Sequence, residues 1–136
     1  MSARFMNTYN SERSNNMIKV TYNDILRASS SMKKLIEREL PVKQAIALSR
    51  LIKKLNAEIE IFDGEQRKIV NKYAIVNQET GEGRIPGSKQ KDYNDAMTDL
   101  LGVSVEIDSE KIEIDGLENI EASVILNTEP FVEFKE

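Results

Sequence analysis

From Ala45 the apolar positions run Ala45, Leu48, Ile52, Leu55, Ile59, Phe62, Gln66, Ile69 and Tyr73, alternating steps of three and four residues over about four heptads. Only a long helix places such a series on one line, so this periodicity constrains the fold more than any other feature. The line is a coiled-coil seam. Ile46, Leu51 and Val70 widen it beyond two positions per heptad, so the helix has to bury more than one face. One face meets the preceding helix; the other meets either the C-terminal part of the chain or a second copy. Gln66 is the polar member of the seam. It either fixes register and oligomer state, as buried polar seam residues do, or marks where the helix leaves the core. Gly64 costs about 1 kcal/mol relative to alanine in a helix interior and predicts a kink near 62–66.

The preceding helix announces itself at Thr21, which can cap a first turn containing Asp24, while Val20 and Ile25 are spaced as a hydrophobic staple. Ile25, Leu26, Met32, Leu35 and Ile36 then recur at helical spacing and predict a helix over about 22–39. The small residues Ser29, Ser30 and Ser31 weaken it locally but admit a close neighbour. Leu40-Pro41 is the hinge, since the residue before proline disfavours helix and proline suits a helix start. The two helices are therefore expected to fold back on each other as a long antiparallel hairpin over 21–75.

Past Tyr73 the helical period stops. Asn77 to Ser88 carries three glycines and a proline and reads as a loop or loose hairpin, assigned to 76–88. Lys91 to Leu101 returns to helical spacing as a short third helix ended by Gly102. Val103, Val105 and Ile107, then Ile112 and Ile114, alternate with polar residues and predict a small antiparallel β-hairpin near the C-terminus, turning at Asp108 to Lys111. Helical turns over Ile120–Asn127 and an extended piece at Phe131, Val132 and Phe134 complete an α+β chain. Residues 1–19 are expected to form a flexible polar arm, which Phe5, Met6 and Tyr9 can anchor to a partner, and 20–136 a single domain.

Composition limits the chemistry. The chain has no cysteine and no histidine, which removes disulfides, thiol nucleophiles, His-based triads and ordinary zinc sites. The cluster Asp108, Glu110, Glu113 and Asp115 lacks the glycine-bearing ligand pattern of a calcium loop and reads as the wet face of the strands. Gly81 to Lys89 imitates a phosphate loop but places Ser before Lys, after a proline. No cofactor or metal is expected, and no enzyme activity. No apolar run reaches the roughly 20 residues needed to span a bilayer, so no membrane contact is expected.

The net charge of −4 is unevenly divided, with 14 basic and 8 acidic residues in 1–76 against 5 and 15 in 77–136. Arg27, Lys33, Lys34, Arg38, Lys43, Arg50, Lys53 and Lys54 straddle the hinge and read as solvated surface or as partners for the acidic half. Nucleic-acid binding, which favours basic chains with aromatic platforms, is not the expectation for an acidic chain with 8 aromatic residues. Such a dipolar chain can pack head to tail with itself, or offer each face to a different partner. The candidate interaction residues are Leu55, Ile59, Phe62, Gln66, Ile69 and Tyr73 on the seam, and Glu106, Asp108, Glu110, Glu113 and Asp115 on the acidic strands.

Leu40-Pro41-Val42-Lys43, Leu51-Ile52-Lys53-Lys54-Leu55, Phe62, Arg67 and Lys72-Tyr73-Ala74 together resemble a family of small phage and prophage proteins of uncharacterised function. The resemblance covers about residues 20–134; the polar arm before Met17 departs from it. It implies a viral protein made in the bacterial cytoplasm and carries no catalytic residue. The expectation is a non-catalytic homo-oligomeric virion or assembly component. The alternative is an anti-defence inhibitor whose acidic half, from Glu106 to Glu121, imitates a nucleic-acid backbone on a host enzyme.

Overall fold

A computed structural model describes residues 17–135. The proposed anchors Phe5, Met6 and Tyr9 lie outside the described residues. Within them the class is α+β, as expected, with a helical hairpin, a third helix and small two-stranded sheets.

The first helix, α1 (Tyr22–Ile36), begins where its cap lies. The Thr21 hydroxyl accepts from the Asp24 amide at 3.2 Å and the Asp24 carboxylate accepts from the Thr21 amide at 3.0 Å, a reciprocal capping box. Val20 and Ile25 on either side are both buried. The helix ends three residues earlier than 39, and Pro41 leads into α2 (Val42–Tyr73) with an extended backbone at ψ 144°. The hairpin is antiparallel: Tyr22, at the start of α1, packs its ring 5.5 Å from that of Phe62, twenty residues into α2.

The 32 residues of α2 span about 48 Å, roughly twice the 15 residues of α1, so α2 runs well past its partner. The helix continues unbroken through Gly64. Its overhang is met by α3 (Gln90–Leu101), which packs on α2 with half-buried Tyr93, Met97, Leu100 and Leu101. Between them, β2 (Ile75–Val76) and β3 (Gly83–Arg84) close the base of a hairpin. The Asn77 side chain accepts from the amides of Glu79 and Thr80, and Gly81 takes a positive φ of 75°. The glycine-rich stretch is thus a hairpin tip, not a phosphate cradle.

The strands lie where alternation places them, but their pairing differs from the expected hairpin. β4 (Ser104–Asp108) and β5 (Ile112–Asp115) do not pair with each other. β4 pairs antiparallel with β1 (Met17–Thr21), in a register that sets Ile18 opposite Ile107 and Val20 opposite Val105. Residues 17–19, assigned to the arm, therefore belong to the folded domain. β5 pairs in parallel with β6 (Val132–Lys135), Ile112 beside Val132 and Ile114 beside Phe134. A parallel pair needs a crossover, and α4 (Ala122–Thr128) supplies it. The physical reason lies in the connection: Ser109-Glu110-Lys111 contains no glycine or asparagine to adopt the positive φ of a tight hairpin turn. The chain instead leaves β4 and re-enters another sheet.

The core collects Ile25, Ala28, Met32 and Leu35 of α1 with Leu48, Leu51, Leu55 and Phe62 of α2. Val105 and Ile107, Ile112 and Ile114, Val124, Phe131 and Val132 close it from the strand side. The close neighbour that the serine run admits is α4, whose Asn127 amide donates to the buried Ser31 hydroxyl at 3.2 Å.

Candidate functional site

The seam residues are largely occupied by the chain's own packing. Leu55 and Phe62 retain 1% and 3% of their surface and cannot serve as a free docking face, which corrects their place among the candidate interaction residues. Ile59 is partly buried against the core, and Gln66, Ile69 and Tyr73 are half-buried on the α2 overhang, where α1 has ended and α3 is the neighbour. The second face of α2 is covered from within the chain as well. Leu51, one of the residues that widens the stripe, is 1% exposed, and β5 packs on α2.

The acidic residues are divided among different surroundings rather than gathered in one row. Glu106 and Asp108 project from β4, with Glu106 opposite Lys19 of β1. The Asp108 carbonyl accepts from the Lys54 ammonium. Glu110 is exposed on the connection. Glu113 pairs with Lys135 at 3.0 Å, which raises the ammonium pKa above its ordinary value, and stands in register beside Glu133. Asp115 meets the Gln44 amide group at 3.5 Å through both its carboxylate and its backbone. Among the described residues no group of three or more acidic side chains is disposed to hold a metal ion.

The sequence reading did not single out the apolar surface that stays open. Val42 and Ile46, one turn apart on α2, are 73% and 47% exposed. With Leu40, Ala45 and Ser49 they line a shallow cleft of about 390 Å³ whose rim carries Arg50 and Lys53. On the neighbouring flank of the same helix a wider cleft of about 610 Å³ runs between α2 and the β4–β5 connection. Lys43, Arg50, Lys54 and Lys111 ring it above a floor of Ala47, Leu51 and Ile112. Arg50 belongs to both, so the first three turns of α2 present an apolar strip bordered by cations. A second open apolar pair, Ile125 and Leu126 on α4, is 41% and 62% exposed, with exposed Glu121 and Glu129 at the two ends of the helix. The signal available in the sequence was the excess of apolar residues over what one helical seam requires: Ile46 had been noted as widening the stripe, but Val42, Ile125 and Leu126 were not.

Near the hairpin's open end, Tyr22 is buried against Phe62. Burial, with the nearby carboxylates of Glu58 and Glu65, raises its phenol above the ordinary pKa of 10.0. One carboxylate oxygen of Glu58 is itself buried and finds no hydrogen-bond donor among the described residues.

Compared with protein-family models, curated proteins and solved structures, the chain finds no match. Among the described residues no helix is long and apolar enough to cross a membrane.

Proposed function

We propose that this is a non-catalytic phage protein that acts through protein–protein contact, as a homo-oligomeric virion or assembly component. One observation carries the reading: after the monomer's own core is complete, α2 still exposes Val42 and Ile46 beside a ring of cations. Adjacent exposed branched aliphatics on a rigid helix, rimmed by charge, are the anatomy of a contact patch. The lack of histidine and cysteine supports a binding role over a catalytic one. The likeness of the Leu40-Pro41 hinge and of the segments that follow it to small phage proteins supports the viral setting, with synthesis in the bacterial cytoplasm.

The second reading is a host-directed inhibitor that presents its acidic strands. Exposed Glu106, Asp108 and Glu110, which form no salt bridge among the described residues, favour it. Glu113, tied to Lys135, weakens it. The experiment is solution mass by light scattering, alone and after incubation with lysate of the natural host, together with a search for the chain in purified particles. A stable oligomer retained in particles is the expected result. A monomer absent from particles that captures one host enzyme at fixed ratio would establish the inhibitor instead.

A further inference from the structure

Two open patches on this chain are complementary in kind. One is apolar and basic: Val42 and Ile46 on α2, flanked by Lys43, Arg50 and Lys53. The other is apolar and acidic: Ile125 and Leu126 on α4, flanked by Glu121 and Glu129. Their dimensions agree as well. Lys43 to Lys53 spans about 15 Å of helix, and Glu121 to Glu129 about 12 Å.

The fold keeps the two apart. α1 packs against both α2 and α4. It turns Ile25, Ala28, Met32 and Leu35 to the core shared with α2. From its other side Arg27 and Ser31 hydrogen-bond to Asn127 of α4, and Lys34 meets Glu121 at 3.7 Å. On α1, Arg27 and Lys34 stand about 160–180° around the axis from Ile25; on α2, Ile46 stands about 160° from the buried Leu48. The α2 patch and the α4 patch therefore face outward on opposite sides of α1, and one chain cannot close them on each other.

We infer that they are the two halves of one interface, in which the α4 patch of a second copy of this chain seats on the first three turns of α2. The inference rests on the self-association proposed above and gives it a geometry. Because the surfaces differ, the contact is heterologous, and repeating it builds a ring or a filament rather than a two-fold dimer. Burial of the four aliphatic side chains drives the contact, and the facing charges select its orientation and make it weaken with salt.

The test uses complementary half-sites in the full chain. A head variant, Val42→Asp with Ile46→Asp, and a tail variant, Ile125→Asp with Leu126→Asp, change only exposed positions, and circular dichroism checks that both stay folded. Each alone is expected to remain at the monomer mass of 15.5 kDa at concentrations where the parent chain assembles. Mixed in equal amounts, they retain one intact head and one intact tail and are expected to give a dimer that grows no further. Should the aspartates unfold either chain, charge reversal replaces them: Lys43→Glu with Lys53→Glu, and Glu118→Lys with Glu129→Lys, each weakening assembly alone and restoring it when mixed. If the variants still assemble like the parent, or stay monomeric when mixed, the interface is overturned while self-association stands. If the parent chain is monomeric at every concentration, self-association fails and the interface falls with it.

Discussion

Tyr22 shows how one side chain couples the hairpin to pH. Its phenol is held neutral by burial and by the charges of Glu58 and Glu65, so its pKa in the fold lies above the value near 10.0 that it has in the unfolded chain. As pH rises past 10 the unfolded chain loses this proton first, so it binds fewer protons than the fold and stability falls. The contribution is fully present below the unfolded pKa and is lost through the folded one. Tyr22→Phe is therefore expected to flatten the alkaline limb of a denaturant-midpoint profile above pH 10, and an unchanged limb would remove Tyr22 as its source. Gly64 makes a second residue-scale case. It lies inside an unbroken helix, and a β-carbon there would meet nothing within 4 Å. Gly64→Ala should raise stability by about 1 kcal/mol, seen as a shift in urea midpoint without a change in slope. The glycine was legible in the sequence as a cost; that the helix bears this cost without breaking required the neighbours of α2 to be known.

Helices were the part of the fold most open to local reasoning. The capping box, the staple and the proline hinge are each built from residues within five positions of one another, and the structure uses all three. Thr21→Ala should cost about 1 kcal/mol by removing the side-chain acceptor for the Asp24 amide, a loss that equilibrium unfolding would measure. A Thr21→Ser chain should keep most of it. Strands were legible as alternation but not as pairs, because period two identifies the wet and dry faces of a strand and says nothing of which strand lies beside it. Ile107 and Ile112 read as two arms of one hairpin, yet one meets Ile18 and the other Val132, about 90 and 20 residues away in sequence. Phe131 enters the same parallel unit, its carbonyl accepting from the Ile112 amide at 2.9 Å while its ring is fully buried. Phe131→Ala is expected to cost about 3–5 kcal/mol, enough to lower the melting temperature steeply, and a mild effect would mean that the β5–α4–β6 unit is dispensable to the core.

At the scale of the whole molecule the division of charge acquires a geometry. The basic first half is displayed mainly along α2 and the acidic second half on the strands and at the ends of α4, so the chain presents unlike ends to its neighbours. Assembly is expected to weaken as sodium chloride rises from about 0.05 to 0.5 M, because the Debye length shrinks by a factor of about three over that range. Mass measured by sedimentation across such a series checks it, and a mass that rises with salt would make the contact purely apolar.

Periodicity by itself determined that α2 must exist, where α1 must start and stop, and which strand residues face inward, since these depend on side chains within a few turns of each other. Leu55 and Phe62 look no different in sequence from Ile46, and all three belong to a stripe wide enough for two partners. Only the tertiary structure decided that α1, α3 and β5 cover the greater part of that stripe and leave Val42 and Ile46 in solvent, because burial belongs to the elements that arrive on a surface and not to the residues that form it.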